Sequence, residues 1–301
     1  MSDPIFRLAA DAPDVPAGLP LVAALTGFTD AGGAVAQIAP HLLSNLDAER
    51  VLEYDNDELL DYRARRPVVE FDGDHIADYT PADLVLHLVH DELHQPFLLL
   101  TGYEPDFKWE RFVASVIDAV ERYQVRSVTW VHSIPMPVPH TRPIQYTVSG
   151  NRQDLTEAHS VWRPHTQVPG TVMHLLEYRL QQRQHPVVGF VLLVPHYLSE
   201  TEFPAAGIAA VEAISTGTGL ILPTDDLREL DREFRAKLQQ QIEGNGELQR
   251  LVGALEERHD DYMANTGLRS TLVDGEDQLP SADDIADELQ KFLAARRPED
   301  D

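Results

Sequence analysis

The stretch Leu19-Pro20-Leu21-Val22-Ala23-Ala24-Leu25-Thr26-Gly27-Phe28-Thr29-Asp30-Ala31-Gly32-Gly33 decides the fold. A continuous apolar run ends in a glycine turn that carries an exposed acid, and a helical pattern follows over residues 31–43. Such a run reads as a buried strand feeding a helix through a loop whose glycines permit close backbone approach. Loops of this kind line ligand crevices at the carboxyl edge of open α/β sheets. Gly27, Phe28, Asp30, Gly32 and Gly33 are therefore the first candidates for a ligand crevice.

Working outward, apolar runs bounded by Gly or Pro predict further strands over 50–54, 84–90, 97–101, 127–132 and 187–194. Between them, Trp109, Phe112, Val113, Val116, Ile117 and Val120 form one apolar stripe at helical spacing, with Asp106 as its expected N-cap. Further helices are expected over 171–183 and 204–215, the last opening with Pro204. Alternating strands and helices predict an α/β fold, with a mostly parallel central sheet flanked by helices. Two segments break the rhythm. Pro67 to Ile76 reads as a small hairpin turned by Asp72-Gly73. Pro135-Met136-Pro137-Val138-Pro139 is not expected to be regular inside a sheet, although 144–148 reads as a short edge strand. After Pro223, Leu227, Leu230, Phe234, Leu238 and Ile242 recur at helical spacing, pause at Gly244-Asn245-Gly246 and resume with Leu248, Leu251 and Leu255. The expected organisation is an α/β core over 1–222, a C-terminal helical extension over 223–272, and a linker with a short last helix over 273–301. The linker runs from Asp274 to Pro280, and Ser281 caps the last helix.

The 301 residues are 43% hydrophobic, enough for a full core. The net charge is -26, which opposes binding to phosphate backbones and anionic membranes; neither a nucleic acid nor a membrane is an expected partner. The longest apolar stretches are too short to cross a bilayer, and Met1-Ser2-Asp3-Pro4 does not open a secretory leader, so a cytoplasmic location is expected. With no cysteine there are no disulfides, thiolate metal sites or cysteine nucleophiles.

Three segments together resemble the proteasome assembly chaperone 2 family in its actinobacterial branch. They are Thr26-Gly27-Phe28-Thr29-Asp30-Ala31-Gly32, Asp61-Tyr62-Arg63-Ala64-Arg65-Arg66-Pro67, and His132-Ser133-Ile134-Pro135-Met136-Pro137-Val138-Pro139-His140-Thr141-Arg142-Pro143. Val194-Pro195-His196-Tyr197 followed by Pro204-Ala205-Ala206 adds a fourth. The resemblance spans roughly the first 230 residues. It implies an α/β fold of phosphorylase/hydrolase type and a homo-oligomer, a trimer among the options. It also implies a protein client, as for the eukaryotic relatives that escort proteasome subunits.

Residues able to carry chemistry are few. Asp30 opens a helix, where a carboxylate serves as an ordinary cap, and capping is preferred to catalysis. Neither a phosphate-binding G-x-x-x-x-G-K-[ST] loop nor a G-x-G-x-x-G fingerprint is present, so no nucleotide cofactor is expected. Arg63, Arg65 and Arg66 form the densest basic cluster of the chain, a candidate anion clamp whose plainer reading is pairing with Asp57, Glu58 and Asp61. His132 ends a buried strand, and the proline-rich segment holds His140 and Arg142 beyond it. Asp30, His132 and Arg142 could thus offer an acid, a titratable base and an anion anchor in one crevice. His87, His90 and His94 do not make a metal site, since on a strand the first two point to opposite faces. Ser133 lacks a G-x-S-x-G elbow. Two functions lead, beside the blander option of a structural oligomer without a dedicated ligand. One is a homo-oligomeric, protein-binding assembly factor without a cofactor, its apolar patch expected on the helices after Pro223. The other is a small-molecule enzyme or metabolite sensor using the crevice at Gly27 to Gly33.

Overall fold

The structure, a computed structural model, describes residues 5–161 and 165–265. After the short strand β1 (Phe6–Leu8), the apolar run forms β2 (Pro20–Thr26), buried along nearly its whole length. α1 (Ile38–Asn45) follows, then β3 (Ala48–Tyr54), the one-turn α2 (Asn56–Leu59), and the paired β4 (Val68–Asp72) and β5 (His75–Thr80). β6 (Leu84–His90) and β7 (Pro96–Tyr103) lead through α3 (Trp109–Arg122) to β8 (Ser127–Met136). β9 (Gln145–Gly150), α4 (Gln153–His159) and α5 (Val172–Gln182) precede β10 (Val187–Pro195). α6 (Pro204–Thr218), α7 (Asp225–Glu243) and α8 (Gly246–Asn265) complete the described chain.

Eight strands form one sheet in the order β1-β3-β6-β7-β2-β8-β10-β9. Its middle is parallel: β7 with β2, β2 with β8, β8 with β10. The flanking strands β6, β3, β1 and β9 pair antiparallel. Period-two alternation sends side chains to two separate cores. Val22 and Ala24 of β2, with Phe190, Leu192 and Val194 of β10, pack under α1, α6, α7 and α8. Leu21 and Ala23 of β2, with Val128 and Trp130 of β8, pack under α3 and α5. The result is a three-layer α/β fold.

Three local expectations change. The first helix starts late: a 3-10 turn at Ala31–Gly33 precedes α1, because Gly32 and Gly33 take φ of 70° and 59°. Gly32 is held there by close packing, since a Cβ would stand 3.1 to 3.3 Å from Val194, Ala206 and Phe203. Asp106 does not cap α3. Its carboxylate accepts the Asp61 N–H at 2.8 Å and pairs with Arg65 at 3.0 Å, and Lys108 holds the cap position in a left-handed conformation. Pro135 and Met136 do belong to a strand, since β8 continues through them against Val194 and Pro195. Proline is tolerated there because pairing with β2 has ended at Trp130, leaving one side of β8 without a ladder partner.

The expected hairpin forms as β4 and β5, a two-stranded ribbon apart from the main sheet with every strand residue exposed, but its turn is Gly73-Asp74, because Asp72 still pairs with His75. The apolar stripe of α7 and α8 is turned inward: Leu227, Leu238, Ile242, Val252 and Leu255 are buried, and Leu230 alone of the large apolar residues there is strongly exposed. The expected patch on these helices is therefore consumed by packing on α6 and the sheet. The linker from Asp274 to Pro280 and the helix capped by Ser281 lie outside the described residues. No described helix is long and apolar enough to cross a membrane.

Candidate functional site

β2 and β8 pair only from Pro20 with Ser127 to Ala23 with Trp130. Beyond that point their loops part, because β2 leads to β3 on one side and β8 leads towards β10 on the other. Open α/β sheets form their ligand crevices at this kind of divergence. Here Asp30 occupies it. One carboxylate oxygen accepts the Val35 N–H at 2.8 Å and the Ser133 hydroxyl at 3.0 Å, and the other accepts the Ala36 N–H at 2.8 Å. Asp30 and Ser133 also bridge through their backbones. The acid caps neither the 3-10 turn nor α1 itself; it holds the turn at Val35 and Ala36 that leads into α1 and ties that loop to β8.

A second carboxylate, which the sequence reading did not single out, organises the rest of the edge. Glu104 is buried where β7 ends, and accepts the Val172 N–H at the first turn of α5 at 2.6 Å and the Phe28 N–H at 3.3 Å. Gly27 is required by this contact: a Cβ there would lie 2.5 Å from a Glu104 oxygen. α5 opens with a capping box in which Thr171 and His174 satisfy each other's backbone N–H groups. The His174 ring stands edge-on to Trp130 at 5.0 Å and to His132 at 6.3 Å. His132 reaches the Thr29 hydroxyl at 3.3 Å. Burial, and next the neighbouring His174, lower the His132 pKa to about 4, and burial lowers that of His174 as well. Thr171-x-x-His174 was the available signal for this corner, a capping box with histidine in the place of Glu or Gln.

The loops that Glu104 ties together also present apolar side chains. Phe28 is 53% exposed, Phe107 50% and Val168 61%, each on a loop at the carboxyl edge. On the Asp30 loop a cleft of about 360 Å³ is lined by Asp30, Gly33, Gln37, Glu200 and Glu202, among others.

The remaining candidates are placed elsewhere. Arg142 does not join Asp30 and His132. Its guanidinium pairs with Asp260 at 2.6 Å and Glu256 at 3.2 Å, fastening the loop after β8 to α8. His140 meets the Tyr197 hydroxyl at 2.7 Å, and its carbonyl accepts from Arg235 of α7. Both residues therefore brace the helical hairpin. Arg65 pairs with Asp106, donates to the Glu104 carbonyl at 2.9 Å and lies over the Tyr103 ring. The acids expected as partners are engaged otherwise: Asp57 accepts from Tyr62, Glu58 from Lys108 and Arg111, and Asp61 from the Arg63 N–H. Among the described residues, the side chains of Arg63 and Arg66 make no ion pair, and both residues are exposed. His87 is buried in β6 and His94 sits in a left-handed turn; among the described residues no group of three or more His, Asp or Glu is placed to hold a metal ion.

The comparisons agree with this architecture. A protein of unknown function from Mycobacterium tuberculosis, Rv2714, is 40% identical over 88% of this chain and 93% of its own, with a TM-score of 0.81. One of unknown function from Corynebacterium glutamicum is 36% identical over 87% of this chain and 99% of its own, with a TM-score of 0.84. The Mycobacterium tuberculosis proteasome-assembly chaperone homologue Rv2125 shares the fold at 22% identity, covering 78% of this chain and 100% of its own, with a TM-score of 0.70. No curated protein matches. The profile of the PAC2 family matches residues 24–242, from the middle of β2 almost to the end of α7, and the chain belongs to the PAC2 family.

Proposed function

We propose that the protein is a homo-oligomeric assembly factor of the chaperone type, acting in the cytoplasm and binding a protein client at the carboxyl edge of its sheet. One observation carries the reading. The polar groups at that edge are used to hold loops in place, while Phe28, Phe107 and Val168 face solvent. Exposed apolar side chains on a stiffly tied frame suit protein recognition better than acid–base chemistry. Membership of the PAC2 family and the likeness to a proteasome-assembly chaperone homologue support the same direction. In this reading residues 1–222 form the working core, and α7 with α8 brace it through Arg142 and Arg235.

Capture from native lysate tests it. Tagged wild-type protein should retain a reproducible partner by mass spectrometry, and the Phe28→Glu/Phe107→Glu variant should lose at least roughly tenfold of that signal, as expected for apolar anchors. Both positions are exposed, so the thermal midpoint should stay near that of the wild type. Equal capture by both proteins would reject the carboxyl edge as the binding face.

A second reading rests on the cleft beside Gly33, whose volume is at the low end for small-ligand sites. Glu200 and Glu202 on its wall favour a cationic molecule. A ligand present at a hundred times its dissociation constant would stabilise the protein by about 2.7 kcal/mol. A thermal-shift panel of amines, amino acids and nucleosides that leaves the midpoint unmoved would remove this reading.

A further inference from the structure

The chain carries 50 acids against 24 Lys plus Arg, so a guanidinium seldom lacks a carboxylate. Arg7 pairs with Glu53, Arg152 with Asp154, Arg179 with Glu110 and Arg228 with Glu212. The turn between α2 and β4 departs from this pattern. Arg63 and Arg66 are exposed there, and among the described residues neither side chain makes an ion pair. Acids are not scarce nearby; they are occupied. Asp55 accepts the Asp57 N–H, Asp57 the Tyr62 hydroxyl and Asp61 the Arg63 N–H, while Glu58 holds Lys108 and Arg111. Asp106 is taken by Arg65 and by the Asp61 N–H.

The same contacts stiffen the turn. The Ala64 and Arg65 N–H groups both donate to the Asp61 carbonyl, at 2.9 and 3.0 Å. Arg65 is pinned by Asp106, by the Glu104 carbonyl and by the Tyr103 ring beneath it. Arg63 and Arg66 therefore stand on a backbone that is already fixed, which lowers the ordering cost of binding. Glu104 also accepts the Phe28 N–H, so the turn is tied to the carboxyl edge. Arg65 in addition lines a groove of about 350 Å³ whose walls include Ala24, Val35, Ala36, Ala39 and Tyr103. Asp83 on its margin pairs with Arg50 at 2.5 Å. Two uncommitted cations thus flank, in sequence, a residue of a groove able to take an apolar side chain.

We infer that the turn binds an acidic segment of the client, with its carboxylates on Arg63 and Arg66 and an apolar neighbour in the groove. Guanidinium forks match carboxylates in geometry and charge. The net charge of -26 selects a short acidic run over a nucleic acid or an anionic membrane, whose charges would extend from the turn onto acidic surface. The inference rests on the client-binding reading of the proposed function and names the chemistry that the client presents.

Purified full-length protein and labelled peptides of Glu-Glu-Leu repeats test it by fluorescence anisotropy. The net charge repels such a probe, so non-specific attraction cannot imitate binding. Wild type should bind it at least roughly tenfold more tightly than the Gln-Gln-Leu isostere. Arg63→Glu/Arg66→Glu should abolish that preference, and Arg63→Lys/Arg66→Lys, with charge but no fork, should retain part of it. Both positions are exposed and unpaired, so thermal midpoints should stay near that of the wild type. Ala36→Trp, which fills the groove, should weaken binding of Glu-Glu-Leu and leave that of Glu-Glu-Ser unchanged. Equal affinity of the wild type for the Glu and Gln peptides, or equal affinity of the wild type and the glutamate variant for Glu-Glu-Leu, overturns the inference. An Ala36→Trp protein that binds both Glu peptides as the wild type does overturns the part given to the groove. A glutamate variant that keeps its peptide affinity but changes mass by light scattering would assign the turn to contacts between copies, and also overturns it. Lysate capture by Phe28→Glu/Phe107→Glu reports on the apolar edge alone, so the two proposals fail separately.

Discussion

Lowering the pH from 7.5 to 5.0 will destabilise the protein by about 4 kcal/mol, most of it from two histidines. Burial lowers the pKa of His87 to about 4, with the Arg50 guanidinium adding to the effect. His132 falls to about 4 through burial and then through His174. An unfolded histidine takes up its proton near pH 6.5, whereas these two resist it until about pH 4. The unfolded chain therefore binds more protons across that window. Stability is complete above pH 6.5 and drains away as the pH falls towards 4. At pH 5.0 each histidine has lost about 2 kcal/mol, while most of the carboxylates are still ionised. His174, His140 and His185, also lowered by burial, act in the same direction. Glu177 acts oppositely, because burial raises its pKa and acidification relieves that cost. Urea midpoints at the two pH values measure the loss, and His132→Gln should remove its own share. A midpoint that does not move between pH 7.5 and 5.0 would refute the argument.

The carboxyl edge shows which features were legible in the sequence. Long apolar runs bounded by Gly or Pro have one outlet, a buried strand, so β2, β6, β8 and β10 could be placed from periodicity. The hairpin and the pause at Gly244-Asn245-Gly246 were equally readable, because local backbone chemistry decides them, although the hairpin turns at Gly73-Asp74, one residue on from the expected Asp72-Gly73. The roles of Glu104 and Arg142 were not. Glu104 follows a strand with nothing nearby to mark it, and its partners are 76 and 68 residues away. Arg142 is held by acids 114 and 118 residues further on. The stripe on α7 and α8 reads the same whether it faces a partner or its own core, and tertiary packing alone chose the core. The ribbon is the converse case. That it forms a hairpin was visible, but that it would stay uncovered depends on where the neighbouring elements fall.

Substituting alanine for Gly189 will cost about 3–5 kcal/mol, although it adds a single methyl group. Gly189 of β10 is in register with Trp130 of β8, whose indole is fully buried and lies across the glycine. A Cβ at 189 would stand 2.3 Å from the indole Cε2 and 2.5 Å from its Nε1. The ring cannot yield cheaply. His174 closes its edge, and the indole N–H donates to Glu177 at 2.8 Å. Glu177 is itself buried and accepts from Ser149 at 2.7 Å and Gln181 at 3.0 Å. Displacing the indole thus adds overpacking, about 1–3 kcal/mol, to the loss of a hydrogen bond on a buried carboxylate, about 1.5–3 kcal/mol. The two terms share one side chain, which makes the prediction separable from general strand damage. In a Trp130→Phe background the indole N–H and much of the clash are already gone, so Gly189→Ala should cost clearly less there than in the wild type. Residues in direct contact show such coupling, whereas independent sites add. A double-mutant cycle from urea denaturation measures it. Equal costs in the two backgrounds would mean that Gly189 is needed for the strand itself and not to make room for Trp130.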